Sequence, residues 1–86
     1  MYKIAFRKSA AKEFLLLPVS YQEKVENALK LLASNTIQAL DIKMLVPKNE
    51  GRYRMRVGKY RVIYSYREHI LTIDVIKIGS RGDVYK

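Results

Sequence analysis

The chain has 86 residues, enough for one domain with a real core but not for two; 49% of them are apolar, seven are tyrosines, and glycine and proline are few, which excludes a disordered basic tail. The net charge of +9 is uneven, with six basic and four acidic side chains in the first 42 residues and eleven against four in the rest; this excludes a uniformly neutral surface and makes a polyanion the expected partner, nucleic acid ahead of an anionic membrane. Cysteine is absent and His69 is the lone histidine, which excludes a disulfide framework, a thiolate nucleophile and cysteine-based or multi-histidine metal sites.

Tyr2, Ile4 and Phe6 alternate with Lys3, Ala5 and Arg7, and this period of two predicts a first strand with one buried face. Ser9 then caps a helix running through Leu16, which Pro18 limits. Ser20, with Glu23 three positions on as its capping-box partner, predicts the start of a second helix; Val25, Ala28, Leu29 and Leu32 give it an apolar stripe, and Ser34-Asn35-Thr36 ends it. The longest apolar run, Phe14 to Leu17 with Pro18 and Val19, is too short for a signal or a membrane span, so no membrane partner is expected and a cytoplasmic location is. Ile37 to Pro47 has no clean period and reads as an irregular connector, with Leu40, Met44 and Leu45 packing locally.

From Gly51 the pattern becomes that of strands. Tyr53, Met55 and Val57 alternate with Arg54 and Arg56, and Gly58-Lys59 suits a two-residue turn whose glycine takes the positive-φ first position. Counting back from that turn pairs Val57 with Tyr60, Arg56 with Arg61, Met55 with Val62, Arg54 with Ile63 and Tyr53 with Tyr64. One face then carries Tyr53, Met55, Val57, Tyr60, Val62 and Tyr64; the other carries Arg54, Arg56, Arg61, Ile63 and Ser65. A tight Arg67-Glu68 turn would pair Tyr66 with His69 and Arg61 with Asp74, and a four-residue turn would leave the parity unchanged. The apolar face gains Leu71, Ile73 and Val75; the basic face gains Thr72, Asp74 and Ile76. The fold expected is α+β, one domain over residues 1–86: two N-terminal helices packed on one face of a mainly antiparallel four-stranded sheet, with the arginine face open.

Arg54, Arg56 and Arg61 thus fall on two neighbouring strands, with spacings of about 4.8 Å across and about 6.5 to 7 Å along them, roughly one nucleotide step. A guanidinium is a rigid donor fork suited to phosphate oxygens; the same trio also suits an ordinary solvated face with a salt bridge. Arg56 facing Arg61 sets like charges opposite each other, an unfavourable arrangement that Asp74 beside Arg61 would partly offset. In the tail, Gly79 and Gly82 permit a turn that folds Arg81 over the sheet edge, and Tyr85 offers a hydroxyl or a stacking ring; a frayed terminus is the plainer alternative. His69 fits a surface turn, and Tyr2, Tyr21, Tyr60, Tyr64 and Tyr66 fit packing positions or sheet edges.

The run Gly51-Arg52-Tyr53-Arg54-Met55-Arg56-Val57-Gly58-Lys59-Tyr60-Arg61-Val62-Ile63-Tyr64, followed by Val75-Ile76-Lys77-Ile78-Gly79-Ser80-Arg81-Gly82-Asp83-Val84-Tyr85, resembles the second half of the RelE/ParE toxin superfamily. The opening strand and helical pair match that family's order, so the resemblance covers nearly the whole chain. It implies a cognate antitoxin as partner and, for RelE-like members, cleavage of messenger RNA in the ribosomal A site without a metal or other cofactor. It also implies that Arg61, Arg81 and Tyr85 are catalytic and that Arg54 and Arg56 hold or orient RNA phosphates. The strand before the hairpin departs from the family pattern, since catalytic members usually carry lysines there; arginine holds a phosphate well but stays charged and is a poor proton acceptor. ParE-like members imply a different target, DNA gyrase, inhibited without cutting, and a catalytically inactive nucleic-acid-binding module is the remaining alternative.

Overall fold

A computed structural model describes residues 1–46 and 51–80. In chain order the elements are β1 (Lys3–Phe6), α1 (Lys8–Leu15), α2 (Val19–Ala33), β2 (Asp41–Val46), β3 (Arg52–Val57), β4 (Tyr60–Arg67), a 3-10 turn (Glu68–Ile70) and β5 (Thr72–Ser80). The five strands form one sheet in the order β1-β5-β4-β3-β2. All neighbours are antiparallel except β1, which lies parallel to β5. The α+β class and the two helices on a mostly antiparallel sheet are as the sequence predicts.

The sheet has five strands rather than four, because the segment read as a connector contains β2. Ile42 pairs with Met55 and Met44 with Tyr53, while Asp41 and Lys43 pair with Arg56 and Arg54 on the opposite face. The register slips by one residue between Met44 and Val46, leaving Leu45 as a bulge. That extra residue breaks the period of two which would otherwise mark the strand.

Both helices begin one residue before the serines expected to cap them. Arg7 and Pro18 occupy the N-cap positions, and neither makes a side-chain capping bond. Proline suits the entry to α2, where its missing N–H has no carbonyl to meet. Asn35 takes a left-handed φ of 60° just past α2, and Thr36 N–H closes back on Leu31 O at 2.8 Å.

The β3–β4 hairpin has the expected register at every pair from Val57↔Tyr60 to Tyr53↔Tyr64, and Gly58 has φ +60° at the turn. The second hairpin differs. A four-residue loop pairs Arg67 with Thr72 and Tyr66 with Ile73, instead of Tyr66 with His69, and leaves Leu71 exposed at φ 49°. Parity survives to Val75, so Ile73 and Val75 are buried as expected. A bulge at Ile76 then reverses it: Lys77 pairs with Ile63, and Ile78 pairs with Val62 and enters the core.

The core lies between the helices and one sheet face. Val25, Ala28, Leu29 and Leu32 of α2 meet Met55, Val57, Val62, Tyr64, Ile73, Val75 and Ile78. Tyr53, Tyr64 and Tyr66 form a ring cluster with centroids 5.5 to 5.7 Å apart. Among the described residues no helix is long and apolar enough to cross a membrane.

Burial, aided by Tyr66 alongside, pushes the Tyr64 hydroxyl well above its ordinary pKa of 10.0. The unfolded chain sheds that proton above about pH 10 while the native core retains it, so this contribution to stability is present below that pH and is lost as pH rises further. Urea midpoints measured between pH 8 and 11 should fall at the alkaline end, and Tyr64→Phe should flatten the fall; an equal slope in the variant would contradict this account.

Candidate anion-binding site

Cross-strand pairing sorts the sheet face away from the helices into rows; Arg54, Ile63, Ser65 and Asp74 on it are buried, so, contrary to expectation, it is not open throughout. One row runs Asp41, Arg56, Arg61 and Gly79 from β2 to β5; the next runs Lys43, Arg54, Ile63 and Lys77. Arg54, Arg56 and Arg61 therefore share the face away from the helices, as predicted. Arg56 and Arg61 are directly opposed across β3 and β4. At the hairpin end, Arg56, Gly58, Lys59, Tyr60 and Arg61 line a cleft of about 320 Å³. Gly79 adds no side chain to the row that ends beside Arg61. Arg81 and Tyr85, the other expected site residues, lie outside the described residues.

The three arginines differ in environment. Arg56 is exposed, Arg61 is partly exposed, and Arg54 is only 7% exposed. Nε and Nη1 of Arg54, and Nε of the neighbouring Arg52, are buried without a hydrogen-bond partner. Buried donors of a cation that stay unfilled are costly, and an anion with several acceptor oxygens would remove that cost.

Asp41 is the acid of this face that the sequence reading missed. Its carboxylate oxygens lie 3.8 Å from Arg54 Nη1 and 3.8 Å from Arg56 Nε, ion-pair distances too long for hydrogen bonds. The clue available in the sequence was Asp41-Ile42-Lys43-Met44, two polar positions alternating with two apolar ones before the bulge at Leu45. Lys59, on the turn, is a second cleft residue that the pattern did not single out.

Asp74 does not offset Arg61. Because the loop is longer than a tight turn, Asp74 pairs with Ser65, and its Oδ2 meets Arg7 Nε at 3.3 Å and Arg67 Nη2 at 3.5 Å. Asp74 is 7% exposed, so it is a buried carboxylate held by two cations at the far end of the face. The tyrosines lie where packing assigns them: Tyr64 is in the core, Tyr2, Tyr21, Tyr60 and Tyr66 pack against it, and His69 is exposed in the β4–β5 loop. Among the described residues no three His, Asp or Glu side chains gather into a set able to hold a metal ion.

The family model of the ParE toxin of the type II toxin-antitoxin system parDE matches residues 4–85. A protein of Methanocaldococcus jannaschii bearing the name RelE1 is 32% identical over 87 aligned positions, which cover 99% of this chain and 96% of that one. The RelE-RelB complex of Pyrococcus horikoshii contains a chain 26% identical, with a TM-score of 0.81, covering 95% of this chain and 97% of that one. The RelB-RelE complex of Methanococcus jannaschii, at 24% identity with 93% of each chain covered and a TM-score of 0.74, shares the fold.

Proposed function

This chain belongs to the RelE/ParE superfamily of type II toxins, and from that premise we propose that it is a ribosome-dependent endoribonuclease which cuts messenger RNA in the A site and is silenced by a cognate antitoxin. The observation that carries the reading is the meeting of Arg54, Arg56 and Arg61 on the sheet face away from the helices, with buried donors of Arg54 still unfilled. A guanidinium fork suits phosphate oxygens, and RNA presents phosphates along its whole backbone.

In the reaction proposed, the 2′-hydroxyl of a message nucleotide attacks the adjacent phosphorus, the bond to the 5′-oxygen breaks, and the products are a 2′,3′-cyclic phosphate and a 5′-hydroxyl. The 2′-hydroxyl proton leaves to a base, and the departing 5′-oxygen takes one up. Arg61 and Arg81 stabilise the negative charge that grows on the non-bridging oxygens, while Arg54 and Arg56 hold the backbone in line. Tyr85 stacks on a base or relays a proton. An arginine at neutral pH stays charged, so none of the four serves as the base. Ribosomal RNA is assigned the task of holding the message in line, which makes free RNA a poor substrate.

Primer-extension mapping of a translated transcript, with wild type and Arg61→Ala beside a gyrase supercoiling assay, tests this reading. Codon-spaced cuts in wild type alone support it. The ParE description of the matching family model favours a second reading, inhibition of DNA gyrase without cleavage; lost supercoiling with an intact transcript would select it. RelE of Pyrococcus horikoshii and RelE of Methanococcus jannaschii are each seen with RelB, which supports an antitoxin partner here. Acidic and apolar side chains on that partner would complement the cationic face.

Asp41 competes with phosphate for Arg54 and Arg56. Asp41→Asn should tighten binding of a short single-stranded RNA about two- to fivefold at fixed salt, the scale of its exposed pair with Arg56. Weaker binding, read by fluorescence anisotropy, would instead make Asp41 an organiser of the arginines.

A further inference from the structure

β1 covers the outer edge of β5 only from Thr72 to Val75, where Arg7 N–H makes the last bond between them to Val75 O at 2.9 Å. Beyond that point the chain of β1 has turned into α1, and among the described residues β5 continues to Ser80 without a strand on that side. There the edge is met by the side chain of Glu13 from α1. Glu13 Oε1 accepts the Ile78 N–H at 2.8 Å, and Oε2 accepts Lys77 Nζ at 2.9 Å. These two residues immediately follow the bulge at Ile76.

The bulge decides what the end of β5 presents. A regular continuation of the Tyr64↔Val75 register would set Lys77 opposite Val62, in the core, and Ile78 opposite Arg61, on the cationic face. With the extra residue, Ile78 is buried and Gly79 stands opposite Arg61. A bulge leaves a strand locally unpaired and needs something to hold it. The carboxylate of Glu13 does so by accepting both the N–H of the Lys77–Ile78 peptide unit and the Lys77 ammonium.

We propose that Glu13 is a positioning residue: by clamping Lys77 and Ile78 it fixes the Ile76 bulge and the register that brings Gly79, rather than the Ile78 side chain, opposite Arg61. The functional half of this inference rests on the nuclease reading; the register half does not. Among the described residues, Glu13 neither lines the cleft nor bonds to its arginines. Its effect on cleavage passes through β5.

The test compares wild type, Glu13→Ala, Glu13→Gln, deletion of Ile76, and that deletion combined with Glu13→Ala. Amide exchange and backbone proton contacts are read by NMR, and transcript cleavage is measured on programmed ribosomes. In Glu13→Ala the Ile78 amide should exchange about ten- to hundredfold faster, the ratio expected for one part-buried bond left unmade, and Arg61–Gly79 contacts should weaken. Turnover should fall about tenfold or more while KM changes little, as expected when reacting groups are misplaced and binding is spared. Glu13→Gln keeps an acceptor for Ile78 N–H and should stay near wild type. Deleting Ile76 restores a regular strand with the same residues facing in and out, so it should make cleavage insensitive to Glu13→Ala. Unchanged exchange and contacts in Glu13→Ala would overturn the proposal, as would a lost register with full turnover, or a double variant no better than Glu13→Ala. Absence of cleavage by wild type would overturn the nuclease reading and with it the functional half, while exchange and contacts would still decide the register.

Discussion

Arg61→Ala is expected to lower transcript cleavage by a hundredfold to a thousandfold, about 2.7 to 4 kcal/mol of lost transition-state stabilisation, the size seen when one donor to a developing oxyanion is removed. Arg81→Ala should do the same. The charge both arginines are assigned to stabilise grows only as the 2′-oxygen closes on phosphorus, so the loss should fall on turnover more than on ribosome binding. Folding should be spared. Arg61 is partly exposed and lies outside the hydrophobic core, so its truncation opens no buried cavity and the fold should survive it. Arg61→Lys keeps the charge but loses the planar fork and should recover only part of the rate. The contrast with Arg54→Ala and Arg56→Ala is part of the prediction: orienting residues should weaken binding and reduce its salt dependence. If Arg61→Ala cut the message as wild type does, the role assigned to it would fall. If all four substitutions affected binding alone, the face would be a nucleic-acid-binding surface rather than a site of chemistry.

The parts of this site that were legible in the sequence are those governed by an unbroken period of two counted from a turn of known length. Gly58-Lys59 fixed the count for β3 and β4, and the register and both faces of that hairpin follow from it. The helical stripe from Val25 to Leu32 was legible for the same reason, at a period near 3.6. What escaped lies beyond an irregularity. Leu45 interrupts the alternation of β2 and hid Asp41, the acid between two of the arginines. Ile76 does the same in β5, where it exchanges the faces of Lys77 and Ile78. A bulge is held by tertiary contacts such as Glu13 on Ile78 N–H, 65 residues away in the chain, and no local pattern announces them. The four-residue β4–β5 loop belongs to the same class: with no Asn-Gly or Asp-Gly to fix its length, parity was legible and the partner of Asp74 was not.

Gly58→Ala should be the most destabilising single-methyl change at the hairpin, by about 2 to 4 kcal/mol, from two separable causes. The first is backbone. Gly58 has φ +60° at the turn between Val57 and Tyr60, where an L-residue is strained by roughly 1 to 2 kcal/mol. The second is a collision: an added Cβ would stand 2.6 Å from Tyr21 Cε1 and 3.0 Å from its hydroxyl oxygen. Tyr21 cannot give way freely, since its ring packs edge-on against Tyr60 at 4.7 Å and lies under Lys24 Nζ at 4.9 Å. The melting temperature should therefore drop by about 10 to 25 °C for a domain of this size. Because Tyr21 belongs to α2 and the turn residues Gly58 and Lys59 line the arginine cleft, the same contact ties the helical layer to the candidate site. A double-mutant cycle separates the causes. In a Tyr21→Ala background the collision is gone, and Gly58→Ala should cost only the backbone part, leaving a coupling of about 1 kcal/mol or more between the two positions. An unchanged melting temperature would refute the turn geometry, and strictly additive losses would show that the Tyr21 ring moves aside without cost.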